Sequence, residues 1–140
     1  MTFLQSCELV FLALCVWREA RGEGFTARLA VAYSILNRVE KPSWWGRSVM
    51  EVVFKRWQYS SLTDPHDPQL TTWPIWDSTW QGCLDVADKA IGKKVDNPVP
   101  HADSYFDVSI TAPAWATDDI FIAQVGRLRF YNVDKDYERP

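Results

Sequence analysis

Apolar residues recur at helical spacing from the first residues of the chain. From about Thr2 to Arg21 good helix formers run without Pro or Gly, and Leu12, Cys15, Val16 and Glu19 share one face by i, i+3, i+4 spacing. This predicts a helix whose last turn carries a carboxylate above an apolar stripe, with Gly22 ending it in a left-handed conformation. Helical periodicity resumes from Ala27 to Val39, where Leu29, Val31, Ala32, Ile35, Leu36 and Val39 make an inward face and Pro42 enforces a stop. A loop at Trp44-Trp45-Gly46 follows, then Ser48-Val49-Met50-Glu51, which has the form of a capping box and predicts a short helix through about Phe54.

Beyond Phe54 the pattern weakens. Trp57-Gln58-Tyr59-Ser60 reads as an extended or turn segment. Ser61 to Pro74, with Pro65, Pro68 and Pro74 around the polar run Thr63 to Asp67, reads as a long surface loop, and loops of that length are often functional. A further helix is predicted from Asp77 or Ser78 to Ile91, with Ser78 and Gln81 as a capping pair and Trp80, Leu84, Ala87 and Ile91 as its core face. The last third favours small β pieces at Ser104–Ile110 and Gln124–Tyr131, and Asp134–Pro140 reads as a polar tail. The expected fold class is mainly α (α+β with minor β), in one domain spanning residues 1–140.

Composition changes this picture in one respect. With 47% hydrophobic and 24% charged residues the chain is of globular type, but eight Trp, seven Phe and five Tyr exceed what a core of this size needs. Surplus Trp and Tyr suit a groove that stacks on sugar rings or bases. Bases are disfavoured by the net charge of -3, because a grip on phosphates needs clustered Lys and Arg. Cys7, Cys15 and Cys83 include no Cys-x-x-Cys pair, and His66 and His101 stand apart from them, so free buried thiols are expected and no metal site or cofactor. Phe3 to Trp17 resembles a signal-peptide core, but no basic residue precedes it, Glu8 interrupts it and no cleavage site follows. It is also too short for stable membrane insertion.

Glu19 is the residue with a chemical rationale. Desolvation over the apolar stripe and the negative end of the helix dipole both disfavour its ionised form, and a Glu protonated near neutral pH can act as a general acid. The bland reading is an ion pair with Arg18 or Arg21 on a solvated helix end. Glu23, past Gly22, would organise the loop. No Gly-x-Ser-x-Gly elbow, phosphate-binding loop or dinucleotide fingerprint is present, and the cysteines fall inside predicted core helices, so carboxylate chemistry on glycosidic bonds is what is left.

Glu19-Ala20-Arg21-Gly22-Glu23, the helix Ala30 to Val39 with Asn37-Arg38-Val39, Gln58-Tyr59-Ser60 and Val125 to Tyr131 together resemble the SleB-type cell wall hydrolase family, in order, from roughly Leu9 to Tyr131. The resemblance implies a lysozyme-like domain that cleaves the β-1,4 bond between N-acetylmuramic acid and N-acetylglucosamine in peptidoglycan glycan strands, with Glu19 as catalytic acid. It further implies a lytic transglycosylase, in which one Glu protonates the leaving oxygen and then assists the muramic acid 6-hydroxyl to give a 1,6-anhydro end. Gln58, Tyr59 and Ser60 would line the groove, with His101, Tyr105 and Tyr131 as further binding residues.

A muramidase would need a second carboxylate, for which Asp64 and Asp67 are the available partners. A catalytically silent glycan-binding domain is the alternative from another class, and a wall amidase or peptidase lacks its metal or nucleophile set. The chain departs from the family in having Arg18 where a Gly is usual, Leu128 where a His is frequent, and Ser61-Leu62 where Cys-Trp usually follows the Gln-Tyr-Ser segment. Without a signal peptide or wall-binding module, the expected role is a phage-type lysin, made in the cytoplasm and admitted to the wall by a separate holin-type protein.

Overall fold

The computed structural model describes residues 1–56 and 58–137; Trp57, part of the segment read as extended, and residues 138–140 of the tail lie outside the described residues. Among the described residues five α-helices precede a small sheet: α1 (Phe3–Ala20), α2 (Phe25–Glu40), α3 (Val49–Val53), α4 (Ser60–Thr63) and α5 (Ser78–Ile91), then β1 (Ser104–Asp107), β2 (Phe121–Val125) and β3 (Leu128–Tyr131). The sheet is antiparallel in the order β1-β3-β2.

Helix α1 has two different halves. Its start is capped by Thr2 and Gln5, each side chain accepting from the other's backbone amide, and Phe3, Leu4 and Val10 are exposed. From Leu12 to Arg18 every residue is buried, because α2, α3 and α5 pack around that half. Helix α2 is likewise buried on all sides from Leu29 to Ile35, so these two helices form the centre of one continuous core.

The turn from α1 to α2 differs from expectation. Arg21 caps α1 in right-handed geometry, and positive φ among the described glycines occurs at Gly46 and Gly126 and not at Gly22. A left-handed end is unnecessary because the Arg21 guanidinium donates to the carbonyls of Trp17 (3.2 Å) and Arg18 (3.4 Å), and the Glu23 amide to that of Ala20 (3.0 Å). Gly24 then serves as the N-cap of α2.

Helix α5 forms over the expected span behind an Asp77 cap, but its buried face is Cys83, Val86, Ala87 and Ala90. Ala87 alone is shared with the expected face. The small residues at 87 and 90 face α1 and α2, while Trp80 and Leu84 flank the contact and Ile91 is exposed. The region from Ser61 to Pro74 is also more ordered than a plain loop. It contains most of α4 and a 3-10 turn, Pro68–Thr71, that starts on Asp67 with Pro at its first position. At α3 the Ser48 hydroxyl caps the Glu51 amide as expected, but the Glu51 carboxylate bonds the Arg47 amide in place of the Ser48 one, so the box is displaced by a residue.

The β patch at Gln124–Tyr131 forms most of a hairpin whose first strand begins at Phe121. Gly126-Arg127 connects β2 to β3, with Gly126 at φ +59 as a turn with glycine in its first central position requires. The loop before β1 is tied to α2. Asn37 donates to the carbonyls of Val99 (3.0 Å) and Ala102 (2.8 Å) and accepts from Asn97 (2.9 Å), and Arg38 Nε donates to the Asp103 carbonyl (2.7 Å). These bonds hold β1 against the end of α1.

Candidate active site

A cleft of about 270 Å³ opens where the end of α1 meets β1 and the segment before α4, lined by Glu19, Arg38, Gln58, Tyr59, Ser104, Tyr105 and Trp115. Glu19 is half-buried and, among the described residues, is the one carboxylate on this lining. Burial pushes its carboxyl above the ordinary glutamate range. The Tyr105 O–H, donating to Glu19 Oε1 at 2.9 Å, and the adjacent Ser61 hydroxyl oppose that shift, while the Asp67 carboxylate adds to it. The Ser61 oxygen is itself buried without a hydrogen bond of good geometry.

Neither neighbouring arginine neutralises the acid. Arg18, only 4% exposed, donates from Nη1 to the Ser61 carbonyl (3.0 Å) and from Nη2 to those of Leu70 (3.3 Å) and Thr72 (3.2 Å), and lies 4.7 Å from the Trp73 ring centre. Arg21 donates to Gln69 Oε1 (2.7 Å) and stacks on Trp17. Gln69 returns a bond to the Arg18 carbonyl (2.7 Å), so the 3-10 turn and the last turn of α1 are mutually clamped. The bland reading of Glu19 as an ion pair with Arg18 or Arg21 is therefore not what the side chains do.

The residues singled out in the sequence separate into two groups. Glu19, Gln58, Tyr59 and Tyr105 meet in the cleft. Tyr59 is buried, with its hydroxyl unpartnered among the described residues and its pKa raised by burial, so it stays a phenol. Gln58 accepts from Arg38 Nη1 at 3.1 Å.

Tyr131 lies behind Trp115 and not on the cleft lining. It packs against Trp115, Phe106 and Phe121, and thus supports the tryptophan that lines the cleft. Ser60 and Asp64 border a different cavity with Arg56 and His66. Ser60 donates to Asp67 Oδ2 (2.9 Å), whose Oδ1 accepts the Gln69 amide (2.8 Å), and Asp64 accepts the His66 amide (2.9 Å). His101 is exposed at φ +69 and edges a third cavity, of about 350 Å³, with Asn37, Asn97 and Asn132.

Arg38 and Trp115 are cleft residues that sequence reasoning did not single out. Arg38 is sandwiched between the rings of Trp45 (4.9 Å) and Tyr59 (5.3 Å). Its sequence signal was a polar residue recurring inside an apolar helix. Trp115, isolated between prolines and turns, carried none.

The site is thus a half-buried carboxylic acid of raised pKa at the end of a core helix, facing an aromatic-edged cleft in a mainly helical α+β domain. The catalytic domain of the germination-specific lytic transglycosylase SleB from Bacillus anthracis has the same fold, with a TM-score of 0.70 at 24% identity over 89% of this chain and 93% of that one. The chain belongs to the cell wall hydrolase family, whose model matches residues 22–131, and is thereby a peptidoglycan-degrading enzyme. The matched segment begins just after Glu19. No curated protein matches the chain. No helix among the described residues is long and apolar enough to cross a membrane.

Proposed function

We propose that the enzyme cleaves the β-1,4 bond between N-acetylmuramic acid and N-acetylglucosamine as a lytic transglycosylase, with Glu19 as acid and then base. The protonated carboxyl delivers its proton to the departing glycosidic oxygen as the C1–O bond breaks. The resulting carboxylate takes the proton of the muramic acid 6-hydroxyl as that oxygen bonds to C1, which closes the 1,6-anhydro ring and restores the acid. The observation that carries this reading is that Glu19, with its raised pKa, is the one carboxylate among the described residues lining the cleft. Tyr105 holds Oε1 in place, and desolvation together with the nearby Glu19 charge keeps the tyrosine itself protonated as a donor.

The test is mass spectrometry of the muropeptides released from purified peptidoglycan. Anhydro-muramic ends support the single-acid mechanism. Reducing muramic ends would favour a muramidase, with Asp67, whose charge acts on Glu19, or Asp64 as the second carboxylate. Glu19→Gln keeps the shape and removes the titratable proton, so wall clearing at the parent rate by that variant would refute the role of Glu19.

In the cell we take the enzyme to act as a phage-type lysin whose access to the wall depends on a separate holin-type protein. The family's action on the wall supports this reading. Culture lysis that is the same with and without a co-expressed holin would refute that dependence.

A further inference from the structure

The segment between the 3-10 turn and α5 exposes two tryptophans three residues apart. Trp73 is 64% and Trp76 74% exposed, with Ile75 between them equally open. Rings of this size at the surface forgo much burial, so two of them exposed on one short segment point to a ligand. The segment is also anchored at both ends. Arg18 binds the Leu70 and Thr72 carbonyls on one side, and the Asp77 amide turns back to the Ile75 carbonyl (2.9 Å) before capping α5 on the other. Trp73 rests against the buried Arg18 guanidinium, which immobilises the ring while most of it stays open to solvent.

The same guanidinium holds the carbonyl of Ser61, whose hydroxyl borders Glu19. The exposed ring is therefore linked to the acid by three contacts in series, by way of Arg18 and Ser61. Arg18 stands where the resemblance leads one to expect a glycine, which has no side chain to make this link.

We propose that Trp73, with Trp76, is a glycan-stacking platform that extends the cleft beyond the sugars flanking the scissile bond and binds the apolar faces of pyranose rings further along the strand. This rests on the reading of the enzyme as a glycan-strand transglycosylase. An uncharged sugar ring is the occupant that suits a fixed, flat indole tied through Arg18 and Ser61 to the acid of a glycosidase. Stacking needs no counter-charge, and pre-ordering of the ring limits the entropy lost on binding.

The experiment measures binding in the Glu19→Gln background, where strands are not consumed. Peptide-free glycan strands of long and short length are titrated by calorimetry against the Glu19→Gln protein and the same protein carrying Trp73→Ala and Trp76→Ala. Thermal melting checks that the surface substitutions leave the fold intact. The expected result is about a tenfold loss of affinity for long strands, as for a well-placed aromatic contact, and a smaller loss for short ones. Equal affinity for long strands with and without the tryptophans overturns the platform while leaving the cleft reading in place. So does a self-association that the substitutions abolish without changing strand binding, because the patch would then serve a second copy. Failure of the Glu19→Gln protein to bind any strand overturns both readings. Tryptophan-dependent binding by an enzyme whose parent yields no anhydro products upholds the platform and refutes the transglycosylase.

Discussion

Truncation of Arg18 to alanine tests how the wall of the cleft is held. Arg18 is 4% exposed, makes no ion pair among the described residues, and donates from Nη1 and Nη2 to three carbonyls at 3.0–3.3 Å, while its Nε is buried without a partner among those residues. Removing it orphans the buried Ser61 carbonyl, at a cost of about 1–3 kcal/mol, while the part-buried carbonyls of Leu70 and Thr72 can turn to water. The stacking on Trp73 adds roughly 0.5–1 kcal/mol. Against these stands relief from desolvating a cation, which is why burial lowers the pKa of Arg18.

The net is a destabilisation of about 1–3 kcal/mol. In urea unfolding followed by tryptophan fluorescence this lowers the midpoint by roughly 0.5–1.5 M, taking a slope of about 2 kcal/mol per M. Wall-clearing activity should fall with it, because Ser61 borders the acid. The alkaline limb of the pH–rate profile should stay in place, since Arg18 is not the counter-ion of Glu19. An unchanged midpoint would refute the clamp, and an alkaline limb that moved upward would show that Arg18 had been stabilising the carboxylate after all.

Three further outcomes follow from the same geometry. Because the folded protein raises the Glu19 pKa, the native state binds more protons than the unfolded chain between the two pKa values, and stability falls as pH rises through that window; Glu19→Gln removes this penalty, so its melting temperature should exceed the parent's at neutral pH and the difference should shrink near pH 4. Tyr105→Phe deletes a donor that favours the carboxylate, so the alkaline limb of the pH–rate profile should move up, and no movement or a downward one would refute the hydrogen bond's role. Gly126→Ala places a Cβ at φ +59 and 2.5 Å from Glu23 Oε2, which should cost about 1–2 kcal/mol in urea unfolding and displace that carboxylate.

The helices with strong periodicity were legible in the sequence because local spacing decides them. α1, α2 and α5 form where expected, and Glu19 sits at the end of a buried stretch as its apolar stripe implied. What was not legible depends on contacts distant in sequence. Arg18 looked like a partner for its neighbour but binds carbonyls 43 to 54 residues away. The α5 face rotates onto its alanines because two other helices press there, which no single-helix pattern records. Glu19 and Tyr105 come together through the bonds Asn37 and Arg38 make to the 99–103 segment, so the Asn-Arg pair in α2 explains the position of a tyrosine two residues beyond the backbone it binds. His101 belongs to that same segment, yet its backbone turns to positive φ and carries it to another cavity.

The burial of α1 from Leu12 to Arg18 also separates two timescales. Amides in a stretch wrapped on all sides exchange with solvent mainly when the whole fold opens, whereas an edge strand such as β1 and a four-residue helix such as α4 open locally and more often. Glu19, the proposed proton donor, thus follows directly on the part of the chain expected to open last, and its surroundings on parts that open sooner. A bulky polymer can be admitted by breathing of the walls, over microseconds to milliseconds, while the carboxyl that must meet it stays where the core has put it.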